Sequence, residues 1–287
     1  MCGIVGYVGG QDATQVVVEG LRRLEYRGYD SAGVAVVTPV GVQSRKRAGK
    51  LANLEKALAE APLPDTTVGI GHTRWATHGA PNDVNAHPHL SEDGSLAVIH
   101  NGIIENFAEL RSLLQADGVT FLSETDTEVA AHLLAKMVGE TGSLTEAMQA
   151  TCRQLRGAFT LVAASAEDPD TLVGARRNSP LVVGLGDGET FLASDVSAFI
   201  AHTRRAMELG QDQVITITRE GVEVTDFDGV PADGVEYEVT WDASAAEKAG
   251  YDLFMLKEIA EQPKAVADTL LGRITDDNRL VLDGLTI

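Results

Sequence analysis

The chain has 287 residues, of which 42 are acidic and 23 are basic, giving a formal net charge of -19. Hydrophobic residues make up 44% of it, which suffices for a packed core and excludes a disordered chain. The acidic balance argues against nucleic-acid binding, because phosphate binding needs a concentrated basic face. The length fits either one large domain or two smaller ones.

The sequence also bears on the cellular compartment. No run of about 18 apolar residues occurs, so we expect no membrane span. The start of the chain lacks the basic and apolar regions of a signal peptide. Two cysteines, Cys2 and Cys152, are too few for a disulfide framework. We therefore expect a soluble cytoplasmic protein.

The first half of the chain is predicted to mix strands and helices irregularly. Asp12 precedes an apolar stripe and is typical of a helix N-cap. Pro62 and Pro64 end the second helix. Predicted strands lie at 3–8, 32–37, 42–47, 68–73 and 96–100, and predicted helices at 13–25, 51–60, 105–115, 126–138 and 144–155.

The second half is predicted to be rich in strands. Two of them, 213–218 and 222–226, form a hairpin around a glycine-containing turn. The composition then shifts, so we place a boundary near 228–250 and a helix at 253–271. The other predicted strands lie at 159–164, 172–176, 181–185 and 190–193. Strands that arrive in groups favour an α+β fold with antiparallel sheets over a doubly wound parallel sheet.

Cys2 carries the most informative chemical signal. A small second residue favours removal of Met1, which would leave Cys2 with a free α-amine beside its thiol. The thiol would be the nucleophile and the α-amine would accept its proton, so one residue would carry a catalytic pair. A cysteine after Met1 is weak evidence by itself, and the interpretation depends on the rest of the site.

Other residues can complete an acyl-transfer site for an amino acid. Asn101 and Gly102 follow an apolar strand and could bind an oxyanion, although the pair by itself favours a simple Asn-Gly turn, which is more common. Arg74 ends another apolar strand and could bind an α-carboxylate. Asp126 could bind an ammonium group or cap the following helix, and both roles can hold together.

Two further patterns are interpreted conservatively. Five of the seven histidines lie between His72 and His100, but structural zinc needs a regular fourfold set, so we expect them to order site loops. The glycine-rich stretch 184–188 is followed by no helical pattern and predicts a turn, not a dinucleotide site. We expect no metal and no cofactor.

Long motifs in a fixed order identify a resemblance. The chain resembles the glutaminase domain of the glutamine–fructose-6-phosphate aminotransferase (isomerising) family, among the class II glutamine amidotransferases. Tyr29 and Trp75 favour this hexosamine branch over purine-pathway relatives, where we expect Gln and Tyr. The matching segments cover nearly the whole chain and are 2–6, 24–33, 72–79, 85–89, 100–106, 123–128 and 257–263.

The resemblance implies a four-layer αββα sandwich of the N-terminal-nucleophile hydrolase type. It implies a glutaminase domain at 2–240, and a connector at 241–287 leading into a sugar-phosphate isomerase domain that is missing here. Cys2 would attack the side-chain amide of glutamine, with Asn101 and Gly102 as the oxyanion hole. The implied substrate-binding residues are Arg74, Trp75 (at the mouth through which ammonia leaves), Thr77, His78 and Asp126, and a closing lid would comprise Arg27, Gly28, Tyr29, Asp30 and Ser31.

The implied partners are glutamine, and fructose 6-phosphate through the second domain, with a homodimer for the full-length enzyme. Two alternatives remain at this point. One is a stand-alone N-terminal-nucleophile hydrolase of another amide, against which Arg74 and Asp126 weigh because they suit a zwitterionic amino acid. The other is a glutamine-sensing domain without catalysis, which loss of Cys2 would have suggested and its presence disfavours.

Overall fold

The computed structural model describes residues 2–240, 251 and 254–270. The chain divides into two compact units between residues 243 and 244. The strands are β1 (Gly3–Val8), β2 (Ser31–Thr38), β3 (Gly41–Ala48), β4 (Val68–Arg74), β5 (His89–Leu90), β6 (Leu96–Ile104), β7 (Gly157–Ser165), β8 (Asp168–Arg177), β9 (Val182–Leu185), β10 (Thr190–Ala193), β11 (Arg205–Glu208), β12 (Gln213–Ile217), β13 (Val222–Asp226) and β14 (Val235–Glu238). The helices are α1 (Ala13–Arg23), α2 (Leu51–Glu60), α3 (Phe107–Ala116), α4 (Asp126–Thr141), α5 (Leu144–Gln154) and α6 (Phe254–Leu270).

The strands of the first unit form two sheets. The first sheet has eight strands in the order β14-β11-β9-β10-β1-β4-β2-β3. The second has six, in the order β13-β12-β8-β7-β6-β5. Neighbouring strands in both sheets pair antiparallel. The α+β class with antiparallel sheets is therefore confirmed.

The alternation of side chains along β1 shows how the layers stack. Ile4 and Val8 join a core cluster that includes Ile99 of the second sheet, so this face packs sheet against sheet. Val5 and Tyr7 point the other way, into a cluster that also contains residues of α1 and α2. Since β1 is buried on both faces, its sequence is a continuous apolar run.

The second sheet has its own helical cover. A third core cluster joins apolar residues of α3, α4 and α5 to the outer faces of β6, β7 and β8. The order of layers is thus helices, sheet, sheet, helices. This confirms the four-layer αββα sandwich.

Most predicted elements are present, with shifted ends. The hairpin of β12 and β13 is confirmed, as is the turn after β9, where the Gly186 N–H donates to the carbonyl of Glu189 at 2.9 Å. The predicted strand at 96–100 continues to Ile104 as β6. The short strands β5, β11 and β14 were not predicted, because their few residues carry no clear apolar pattern.

The N-terminal caps of α1 and α4 test the predicted capping roles of Asp12 and Asp126. Asp12 accepts from the Thr14 N–H at 2.9 Å, which confirms it as the N-cap of α1. The N-cap of α4 is Thr125, whose side chain accepts from the Glu128 N–H. The prediction that Asp126 caps this helix is wrong. Asp126 is its first helical residue, and its carboxylate accepts from the Ile104 N–H.

In the second unit the structure describes α6, within the helix predicted at 253–271. The two end residues of that prediction lie outside the described residues, as do 241–250 and 272–287. The domain limits 2–240 and 241–287 therefore stay predictions. None of the helices in the described segments is long and apolar enough to cross a membrane.

Candidate active site

A pocket of about 450 Å³ brings together most of the predicted site residues. Its wall includes the residue just before β1, the end of β4 and the last part of β6, so both sheets contribute to it. The predicted residues in its wall are Cys2, Arg27, Arg74, Trp75, Thr77, Asn101, Gly102 and Asp126. Four predicted residues of the 27–31 segment and His78 are not in the wall.

A larger pocket of about 830 Å³ runs along β3 and the 83–94 segment. Its wall contains Lys46, His89 and Glu128, but neither cysteine. The Lys46 ammonium already donates to the carbonyls of Val84 and Ala86 at 3.0 and 2.8 Å. Size alone therefore does not locate the chemistry, and the smaller pocket is the candidate active site.

Cys2 lies just before β1 and is partly exposed in the pocket. Its Sγ accepts a hydrogen bond from the Trp75 N–H at 3.1 Å. Burial raises the pKa of the Cys2 thiol, and the Trp75 N–H opposes this only in part. The thiol therefore needs a base to become a nucleophile. While Met1 is attached, the nitrogen of Cys2 is a peptide nitrogen and cannot serve as that base.

Asn101 and Gly102 lie inside β6, where Gly102 is paired with Phe159 of β7. The interpretation of this pair as a simple turn is therefore wrong, and so is its placement beyond a strand end. Asn101 Nδ2 donates to the Cys2 carbonyl at 3.2 Å, so the amide lies directly beside the nucleophile. Gly102 has φ +126°, and a Cβ there would lie 2.1 Å from the Ala158 carbonyl oxygen. Only glycine fits.

Arg74 ends β4 and is buried, with one side of its guanidinium already engaged. Nη2 donates to the carbonyls of His78 and Gly79. Nη1 has no hydrogen-bond partner among the described residues. Burial lowers the pKa of Arg74, against the opposing effect of Asp30. A buried guanidinium with an unused donor in a pocket wall suits a carboxylate ligand.

Asp126 supplies the opposite charge in the same wall. It is buried, and its Oδ2 accepts from the Ile104 N–H at 2.9 Å. The ring of His100 lies 3.9 Å from its Oδ1. Burial lowers the pKa of His100, and Asp126 raises it by less, so this ring is neutral near pH 7. The pocket thus holds a cation and an anion that match a zwitterion.

Of the predicted substrate-binding residues after Arg74, Trp75 and Thr77 lie in the pocket wall and His78 does not. Trp75 is 55% exposed and Thr77 is also exposed, and both line the pocket. The His78 ring packs against Phe107 with its centroid 5.1 Å away. His78 contributes its carbonyl to Arg74 and is not among the residues of the pocket wall, so its predicted contact with the substrate stays a prediction.

Arg27 and Gly28, the first two residues of the predicted lid, contact neighbouring residues of the site. Arg27 forms an ion pair with Asp195 at 3.1 Å and donates to the Ser194 hydroxyl at 3.0 Å. It also lies 3.4 Å from the Cys2 carbonyl. Gly28 has φ +74°, and a Cβ there would lie 2.5 Å from the indole of Trp75.

The remaining lid residues are also anchored. The Tyr29 hydroxyl accepts from the Leu51 N–H at the start of α2, at 2.8 Å. Asp30 Oδ2 accepts from the Ala76 N–H at 2.6 Å. Ser31 is buried as the first residue of β2. The 27–31 segment therefore holds the 74–76 segment in place, and its closing motion stays a prediction.

Sequence reasoning did not assign roles to six residues of the pocket wall. Two of them, Ser179 and Pro180, follow β8, where the sequence shows only a turn signal. The histidine cluster could have identified two others, since we expected it to order the site loops. The six residues are His87, His100, Ile103, Thr127, Ser179 and Pro180.

The pocket thus brings a cysteine, a buried arginine and a buried aspartate into one wall, and comparison with known proteins shows the family of the chain. Residues 59–232 match the family described as glutamine amidotransferase domain. The chain belongs to the glutamine amidotransferase domain family.

More particular similarity is found to glutamine–fructose-6-phosphate aminotransferases (isomerizing). The protein of that name from Streptomyces coelicolor is 67% identical over all of this chain, which covers 47% of that protein. The one from Corynebacterium efficiens is 60% identical, with the same two coverages. The chain thus spans about half the length of these curated relatives.

A solved structure shows the same architecture. The glutamine phosphoribosylpyrophosphate amidotransferase of B. subtilis matches with a TM-score of 0.67 and 26% identity. The match covers 79% of this chain and 49% of that one. This similarity agrees with the N-terminal-nucleophile type of sandwich.

Proposed function

We propose that this chain hydrolyses glutamine to glutamate and ammonia through Cys2. The α-amine of Cys2, freed by removal of Met1, takes the thiol proton as Sγ attacks the side-chain amide carbon. The tetrahedral intermediate collapses to a γ-glutamyl thioester, and the amide nitrogen leaves as ammonia with the transferred proton. Water then cleaves the thioester, giving glutamate and the free thiol.

One observation carries the proposal: Cys2, Arg74 and Asp126 lie in the wall of a single pocket of about 450 Å³. The unused Nη1 of Arg74 would bind the α-carboxylate and Asp126 the α-ammonium of the substrate. Glutamine bound in this way would have its side-chain amide toward the thiol. The side chain of Asn101 and the backbone N–H of Gly102 would bind the oxyanion.

The use of the ammonia is proposed from the relatives. Their name combines glutamine with fructose 6-phosphate, so we propose this sugar phosphate as the acceptor, bound by a further domain of the whole protein. Trp75 is exposed beside the thiol and would lie where ammonia leaves the pocket. We also propose that the whole protein is a cytoplasmic homodimer.

The test is glutamate release from glutamine, measured with and without fructose 6-phosphate. We expect release by the chain without Met1 and none by the Cys2→Ala variant. Cys152→Ala is the matched control, because Cys152 is buried outside the pocket wall and its variant should keep full activity. Equal release by the wild type and the Cys2→Ala variant would refute the mechanism. Stimulation by the sugar would show that this chain already contains part of its site.

A further inference from the structure

His72 contacts the side-chain amide of Asn101, the group proposed to bind the oxyanion. It lies on β4 with no exposed surface, and its Nε2 is 2.8 Å from Oδ1 of Asn101. The ring of His87 stacks on it, with centroids 4.3 Å apart. The two bonded residues are 29 positions apart in the sequence and belong to different sheets.

The chemistry of the neighbouring groups fixes the orientation of the Asn101 amide. The Cys2 carbonyl can only accept, and it lies 3.2 Å from the Asn101 terminal amide, so it must face the NH₂ group. Oδ1 then faces His72 and can only accept. Nε2 of His72 must therefore carry the hydrogen.

The same ring must be neutral. Its Nδ1 is buried and makes no hydrogen bond among the described residues, and the nearby His100 backbone favours a second proton by much less than burial disfavours it. Burial lowers the pKa of His72 to about 3, although the bond to Asn101 opposes this effect. The ring is thus the neutral tautomer with hydrogen on Nε2.

We propose that His72 is a positioning residue for the oxyanion hole. Its Nε2–H holds Oδ1 of Asn101 away from the nucleophile, so that one Nδ2 hydrogen binds the Cys2 carbonyl and the other faces the pocket. Without this donor the amide can turn over and present its oxygen, which repels an oxyanion. The inference rests on the proposed glutaminase function for its catalytic meaning, and on the hydrogen bonds alone for its geometry.

A set of three variants tests the catalytic meaning through kcat and KM for glutamine. His72→Phe keeps a ring against His87 but loses the donor. We expect kcat to fall by roughly 10- to 100-fold, with KM changed by less than about threefold. His72→Gln should restore most of kcat, because its amide can donate from nearly the same place. The control His132→Phe replaces another buried histidine, on α4 and outside the pocket wall, and should match the wild type.

A spectroscopic measurement tests the geometry whatever the activity is. The ¹⁵N spectrum of the His72 ring should show the neutral Nε2–H form throughout about pH 5 to 8. An Nδ1–H tautomer, an imidazolium, or a His72→Phe variant with unchanged kcat would overturn the inference. If the wild type releases no glutamate, the proposed function fails and the ring tautomer alone decides the inference.

Discussion

The backbone N–H of Trp75 donates a hydrogen bond to the Sγ of Cys2 at 3.1 Å. The residue before it, Arg74, provides the unused guanidinium nitrogen of the pocket. Asp30 holds this segment at two points. Its backbone N–H donates to the Arg74 carbonyl, and its carboxylate accepts from the Ala76 N–H. The thiol and the proposed carboxylate ligand are therefore positioned by one short stretch of backbone.

The contact between Gly28 and Trp75 can be tested by Gly28→Ala. The new Cβ would lie 2.5 Å from the indole at φ +74°, so we expect the indole to move and kcat/KM to fall by about tenfold. The matched control is Gly94→Ala, which has φ +71° and no neighbour within 4 Å. Both variants should lose unfolding free energy from backbone strain, about 1–3 kcal/mol each, with the larger loss at Gly28, whose ψ of 146° lies outside the left-handed helical region. Equal kcat/KM for the two would mean that the indole position does not matter.

Arg74→Lys should weaken glutamine binding. Lysine keeps the charge but cannot both hold the carbonyls of His78 and Gly79 and bind a carboxylate, so we expect KM to rise by about 10- to 100-fold. The control is on the substrate side: 4-aminobutanamide, which is glutamine without its α-carboxylate, should be hydrolysed equally poorly by both proteins. A variant that loses as much on this analogue as on glutamine would contradict the assignment.

Glu128 should make the fold sensitive to acid. Burial raises the pKa of Glu128, but the His132 ring 3.7 Å from its carboxylate and the hydrogen bonds donated by Leu122 and Ser123 outweigh this and bring it to about 2. Because the folded pKa is below the unfolded value of about 4.3, the stabilisation is complete above the unfolded pKa and is lost as the pH falls toward the folded one. Glu128→Gln should therefore cost about 1–3 kcal/mol at pH 7 and progressively less toward pH 2.

Urea unfolding at several pH values measures this difference. Glu109→Gln is the control, because Glu109 is exposed on α3 and its variant should follow the wild type at every pH. A Glu128→Gln deficit that stays constant between about pH 5 and pH 2 would show that the carboxylate is not the source of the stabilisation.

Local sequence patterns predicted those strands and helices whose burial or flanking residues give a clear signal. β1 was predicted with its observed ends, because a strand buried between a sheet and helices is apolar throughout. α2 was also predicted with its observed ends, since prolines follow it directly. The edge strand β14 is exposed along its whole length and has no such pattern, so only its pairing with β11 defines it.

The residues of the site also fall into those that the sequence indicated and those that only the fold brings together. Cys2, Arg74 and Asp126 could be proposed because each has a chemical role that its residue type suggests. Asn101 and Gly102 have the local preference of a turn, and pairing with β7 overrides it. The bond between His72 and Asn101 joins two sheets, so no spacing in the sequence could have indicated it.

Retention of Met1 should abolish glutamate release. The proposed base is the α-amine of Cys2, and a peptide bond to Met1 removes its basicity while burial keeps the thiol protonated. Two preparations, one with Met1 removed and one with it retained, should differ by at least about 100-fold in kcat. Full activity of the preparation that retains Met1 would require another proton acceptor in the pocket.

Covalent labelling tests whether Cys2 is the nucleophile for a glutamine amide. Cys152 is an internal control, because burial raises the pKa of its thiol and leaves it unreactive. Mass spectrometry after treatment with a diazoketone analogue of glutamine should show one label per chain, on Cys2, and excess glutamine should prevent it. A label on Cys152, or none on Cys2, would exclude Cys2 as the nucleophile.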